Sequence, residues 1–258
     1  MKKKIILGLA LTLLLSSTTI FAAEPQGLKE LNTTTVSISE KENFDSADIY
    51  KLTSAETKEI LDKVHKSENE NSKISIDDIE RLTIKEVRNT LNKSPRSKIS
   101  SSGNISIMAT GPSDEELKLA AMYPAEALAV NACANEAAPL AETLYTDTTD
   151  GNGDAFRHSY WNAISVIEIA RITSTSSPNW NRGYDIALKF STAHESTAVE
   201  PAKSMDLYNN GVGARLANYA KTINHSTLQS QCISYINNGW MERIVGGVIV
   251  NTDSSHRR

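Results

Sequence analysis

From Ser113 onward the chain is a succession of helix-length segments with apolar residues at helical spacing, and that pattern sets the fold as mainly helical. Ala125 to Thr143 is the tightest constraint, because Ala127, Val130, Ala134, Ala137 and Ala138 present small side chains that suit close helix packing. Pro139 is expected to end or kink this helix. Ahead of it, Ser113-Asp114-Glu115-Glu116 has the capping-box pattern, followed by Leu117 to Met122 and an interruption at Pro124. Further helices are predicted from about Asp154 to Thr173, Tyr184 to Ala198, Ser204 to Ile223 and Leu228 to Ile244, with Ser174 to Pro178 as a break. Val245 to Val250 is β-branched and reads either as a short strand or as the buried end of the last helix. The sum is a mainly α fold: a compact bundle of about five or six helices over residues 113–258, preceded by a polar, weakly folded helical leader.

That leader, residues 24–112, is rich in Lys, Glu, Ser, Asn and Thr and contains no Trp or Cys. Thr53-Ser54-Ala55-Glu56 and Thr83-Ile84-Lys85-Glu86 have the form of helix starts. Ile60, Leu61 and Val64, then Ile84, Val87 and Leu91, give short apolar stripes. Too few apolar residues are present for an independent core, so these helices must pack on something else or stay mobile. Asn92 to Pro112 reads as a linker, and the texture also fits a propeptide or inhibitory segment.

Residues 1–23 have the form of a secretory signal peptide: Lys2, Lys3 and Lys4, the apolar run Ile5 to Leu15, then small residues ending at Ala22-Ala23. Cleavage is expected after Ala22 or Ala23, with a retained signal anchor as the alternative. The product would be secreted or extracytoplasmic, with no transmembrane anchor, since no later apolar run is long enough to span a bilayer. Losing three Lys moves the formal charge from −4 to −7, which leaves no electrostatic footprint for nucleic acid. Cys133 and Cys232 are a disulfide candidate, worth up to ~5 kcal/mol on the chain-entropy model, and fit equally as two reduced, buried small hydrophobes.

Three short stretches carry the chemistry. In Gly153-Asp154-Ala155-Phe156-Arg157-His158-Ser159-Tyr160-Trp161-Asn162, Asp154 is expected to start its helix with His158 one turn later, so the two can touch. A carboxylate on an imidazole fixes its tautomer and raises its basicity, as a general base or a metal-bound His requires. Asp150 to Asp154 resembles the opening of a calcium loop, but Ala155 stands at its sixth position and Trp161 at its twelfth, which excludes an EF-hand. In Thr192-Ala193-His194-Glu195, His194 shares a face with Ile186 and Phe190 and is expected to turn inward, toward Asp154, Arg157 or a metal, while Glu195 lies toward Leu188 and Ser191. In Met205-Asp206-Leu207-Tyr208-Asn209-Asn210, the polar set flanks an apolar stripe of Met205, Tyr208, Val212, Leu216 and Tyr219, and Gly211 and Gly213 suggest a break or a close backbone approach.

With Ala163 and the trailing Val212-Gly213, these ordered motifs resemble a family of bacterial secreted and toxin-associated proteins catalogued as a domain of unknown function, over roughly Met122 to Ile244. The resemblance implies a helical domain with a shared polar site and supplies no reaction. Arg157-His158-Ser159-Tyr160 is also similar, more weakly, to the Arg-His-Asp helix of bacterial phospholipases A2, with Ser159 where that family holds calcium through Asp.

The expected site therefore has His158, His194, Asp154 and Glu195 as catalytic and metal-ligand candidates, and Arg157, Asn162, Asp206, Asn209 and Asn210 as substrate-binding candidates. A divalent metal is the cofactor such a set could hold. Two function classes fit: an exported, metal-assisted hydrolase acting on an envelope or extracellular substrate, or a non-catalytic binding or structural module whose polar network specifies helix packing.

Overall fold

The structure, a computed structural model, describes residues 43–71, 73–93, 111–174 and 176–258. The signal-like segment 1–23, the opening of the leader and most of the linker lie outside the described residues. A 3₁₀ turn, Ser46–Lys51, precedes α1 (Ser54–Glu70) and α2 (Ile76–Lys93). Then come α3 (Asp114–Met122), α4 (Pro124–Leu144), α5 (Asn152–Arg171), α6 (Trp180–His194) and a second 3₁₀ turn, Glu195–Thr197. The chain closes with α7 (Ala202–Ala220), α8 (His225–Asn237) and a two-stranded antiparallel hairpin, β1 (Glu242–Val245) and β2 (Val248–Asn251). The fold is mainly α, as the periodicity predicts. Among the described residues, no helix is long and apolar enough to cross a membrane.

Helix α5 is the centre of the bundle. Every residue from Asn152 to Ala170 except Arg157 is buried, which only a helix walled in on all sides can show. Those walls are α4, α6, α7, α8 and β1. Two of them come close because glycine faces α5: a Cβ on Gly213 of α7 would overlap the Ser159 backbone, and one on Gly183 of α6 would overlap the carbonyl of Val166. Gly213 is thus a close approach, not a break in α7. On the remaining side, the small residues Ala127, Ala134 and Ala138 of α4 lie in the core beside Trp161, whose indole N–H donates to the Val130 carbonyl at 3.1 Å. Pro139 does not end α4, which continues to Leu144.

The described part of the leader joins the same core: Ile49, Leu52, Ile60, Val64, Ile79 and Val87 are buried in one cluster with Leu128 and Val130, and the Asn131 amide donates to the Ile49 carbonyl at 3.2 Å. The capping boxes at Thr53/Glu56 and Ser113/Glu116 form. Thr83/Glu86 is not a helix start, because α2 begins seven residues earlier and Thr83 donates instead to the Ile79 carbonyl at 2.9 Å. The start of α2 is held by Ser75, whose hydroxyl accepts from Asp78 N–H at 3.1 Å.

One further expectation is corrected. The last helix stops at Asn237 rather than Ile244: Gly239 takes φ 70°, and the hairpin of the β-branched tail follows. Of the two readings of Cys133 and Cys232, the structure has the reduced one, with both as buried free thiols.

Candidate functional site

The N-terminal turn of α5 is fixed by Asp147, whose carboxylate accepts from Asn152 N–H at 2.9 Å and from Gly153 N–H at 3.3 Å. The helix therefore begins two residues before Asp154, and Asp154 is an inward residue of the first turn instead of its cap. It accepts from Asp150 N–H at 2.7 Å and pairs with Arg157. One turn on, His158 is 2% exposed. Its Nε2 lies 3.3 Å from Asp154 Oδ1 and 3.3 Å from Asp206 Oδ1, the latter brought in by α7. On the ring's other side, Nδ1 lies 3.2 Å from Asn210 Oδ1 and 3.5 Å from Glu195 Oε1.

Asn210 orients the imidazole. Its carbonyl oxygen accepts from the Asn162 amide at 2.7 Å, and its own amide donates to Glu195 at 3.3 Å. With the Asn210 oxygen so placed, Nδ1 must be the donor, and Nε2 faces the two aspartates. Asp154 Oδ1, Asp206 Oδ1 and His158 Nε2 then lie within 4.8 Å of one another. Asp206 Oδ1 is buried and has no hydrogen-bond partner. Three inward acceptors at that separation repel unless a proton, a guanidinium or a metal cation lies among them. Arg157 already brings one positive group here, its Nη2 on Asp154 and 3.2 Å from Nε2.

Burial and charge split the two aspartates. Burial pushes Asp206 up to about 7, against the pull of His158. Burial also acts to raise Asp154, but the contact with His158 and the charges of His158 and Arg157 outweigh it, so its carboxyl is held below the usual range. For His158, burial opposes the charged ring, while Asp206 and Asp154 prevail and raise it. Two carboxylates pushed in opposite directions around one imidazole can serve as a proton donor and an acceptor.

The motifs thus converge in part. Asp154, Arg157, His158, Asn162, Glu195, Asp206 and Asn210 meet around one ring. Glu195 joins them at the end of α6, where its N–H still bonds the Ser191 carbonyl; Ser191 faces the core at 1% exposure, and Glu195, one turn on, is turned inward with it at 3%. His194 stands beside the cluster, 6.4 Å from His158 between ring centroids and edge-on to Trp161 at 5.4 Å. Its partner is none of the three expected: Nδ1 meets Glu116 Oε1 at 3.2 Å. Asn209 is elsewhere, exchanging two hydrogen bonds with the backbone of Glu242, at 2.9 and 3.0 Å, which pins the hairpin to α7. Glu116 is the site neighbour that sequence reasoning missed. Its capping-box position explained it fully as a helix start, yet it is entirely buried and uses one oxygen for the cap and the other for His194.

Residues 117–240 match a domain family described as a domain of unknown function (DUF6973), a span that takes in all three motifs. No curated protein and no solved structure matches the chain.

Proposed function

We propose that this is an exported hydrolase whose centre holds a divalent cation on Asp154, His158 and Asp206, acting on an envelope or extracellular substrate. The observation that carries the reading is the buried Asp206 Oδ1, without a hydrogen-bond partner, beside Asp154 Oδ1 and the His158 Nε2 that Asn210 leaves facing both. Imidazole and carboxylate ligands at that spacing suit zinc or manganese, and such an ion would supply an acidified water as nucleophile. Arg157 occupies the same corner, and at a quarter exposed its side chain can turn outward, where it would take an anionic group of the substrate. His194, oriented through Nδ1 by Glu116, is placed to exchange a proton near the centre.

The test is calorimetric titration of the full chain with Zn²⁺ and Mn²⁺, beside His158→Ala and Asp206→Asn. One equivalent bound by the wild type and lost in both variants, each still helical by circular dichroism, is expected. A folded wild type that takes up neither ion removes the metal reading. The non-catalytic alternative is favoured by one observation, the closed chain Asn162, Asn210, Glu195 and His158 at 3% exposure or less. It requires that Asp206→Asn change stability alone.

A further inference from the structure

A groove of about 370 Å³ lies between α7, the end of α8 and β2. Helical spacing puts Tyr208, Arg215 and Tyr219 on the opposite face of α7 from Asp206 and Asn210, so the groove is separate from the His158 cluster. Among the described residues, the most exposed aromatic side chains are Tyr208 at 43%, Tyr219 at 83% and Trp240 at 55%, and all three line this groove. Aromatic area left in water at one place marks a binding surface more often than chance scatter does.

The groove has a fixed corner. Gly239, at φ 70°, turns the chain after α8, and Trp240 N–H donates to the Tyr235 carbonyl at 2.9 Å. The indole is held at 85° to the Tyr235 ring, with centroids 4.8 Å apart. This edge-on packing keeps the Trp240 ring in one orientation while leaving it half exposed, so a ligand meets a rigid platform.

Size and chemistry select the occupant. The volume matches a small-ligand site, and a protein partner would need a far larger surface. Aromatic faces at differing angles, interleaved with phenol hydroxyls, an indole N–H and the Asn251 amide, suit pyranose rings, which offer a C–H face for stacking and an edge of hydroxyls for hydrogen bonds. Arg215 is the charged residue of the lining and matches a single carboxylate. A nucleotide fits less well, since its phosphates would meet one guanidinium and no helix N-terminus among the lining residues. We propose that this groove binds a short glycan bearing a carboxylate, whatever the chemistry at His158.

The probes are the N-acetylglucosamine–N-acetylmuramic acid disaccharide, its neutral counterpart chitobiose, and AMP, titrated into the full chain with tryptophan fluorescence and calorimetry as readouts. Both sugars should saturate in the millimolar range or below, the acidic one more tightly. Tyr219→Ala and Trp240→Ala should each weaken both sugars by about tenfold, and Arg215→Gln should abolish the preference for the acid while sparing chitobiose. Tyr219 is nearly free of the fold, so that variant decides the matter even if Trp240→Ala is unstable. Failure of either sugar to saturate, AMP binding as tightly as the acidic sugar, or titrations unchanged by Tyr219→Ala and Arg215→Gln would each overturn the proposal.

Discussion

Gly213→Ala is the sharpest perturbation the packing offers. The new methyl carbon would stand 2.6 Å from the Ser159 carbonyl carbon and 2.7 Å from its Cα, with the oxygen nearer still, where ordinary contact begins at 3.4 Å. The obstacle is the backbone of a buried helix, so relief requires α7 to withdraw from α5 by more than 1 Å, and a gap of even ~1 Å already forfeits roughly a quarter to a half of each dispersion contact along the interface. Overpacking typically costs ~1–3 kcal/mol; a backbone clash belongs at the top of that range, and the ~1 kcal/mol gain in helix propensity leaves a net loss of about 2 kcal/mol or more. Gly211→Ala, two residues away on the same helix, is the control. Its methyl would meet the mobile tip of Arg215 at 3.1 Å, so the propensity gain survives and stability should rise by up to ~1 kcal/mol. Urea unfolding followed by circular dichroism reads both. Because α7 also carries Asp206 and Asn210, Gly213→Ala should weaken any cation binding while Gly211→Ala leaves it intact. A Gly213→Ala protein as stable as the wild type would refute the close approach of α7 to α5.

Two other outcomes follow from charge and burial. Burial disfavours the charged His225 ring, but hydrogen bonds to Glu136 and Glu168 outweigh it and raise the group from 6.5 to about 9. Its contribution is therefore complete below pH 6.5 and disappears as pH climbs through about 9; allowing for the partly exposed Glu136, the loss should be about 2 kcal/mol. His225→Gln should flatten that slope, and an unchanged slope in chemical denaturation across this window would show that the pairing is not formed. Cys133 and Cys232, buried with both thiols pushed up, should not react with a thiol reagent in the native state and should titrate as two thiols in non-reducing urea; none in urea would mean they are bridged.

The helices were readable because burial and turn chemistry act locally: Thr53, Ser113, the Ala-rich stripe and the breaks each announce an element within a few residues. The Asp154–His158 pair was readable for the same reason, being one helical turn apart. Glu195 follows the side of Ser191, one turn back, and what periodicity could not supply is that this side faces His158 rather than an apolar neighbour. Asn209 and Glu116 exchanged expected roles because their partners, Glu242 and His194, lie 33 and 78 positions away. Such pairings are set by tertiary packing, which a periodic pattern does not encode.

The enclosure of α5 also shapes how the molecule is made. When Arg171 leaves the ribosome, α4 is the one wall of α5 already made; α6, α7 and α8 require about seventy more residues, on the order of ten seconds of synthesis at ~5–20 residues per second. Throughout that interval the most completely buried helix of the fold lacks most of its shelter. A holding chaperone that engages the nascent chain would find its best grip here, and delay at this stage would cost the cell less than early collapse around an unfinished centre.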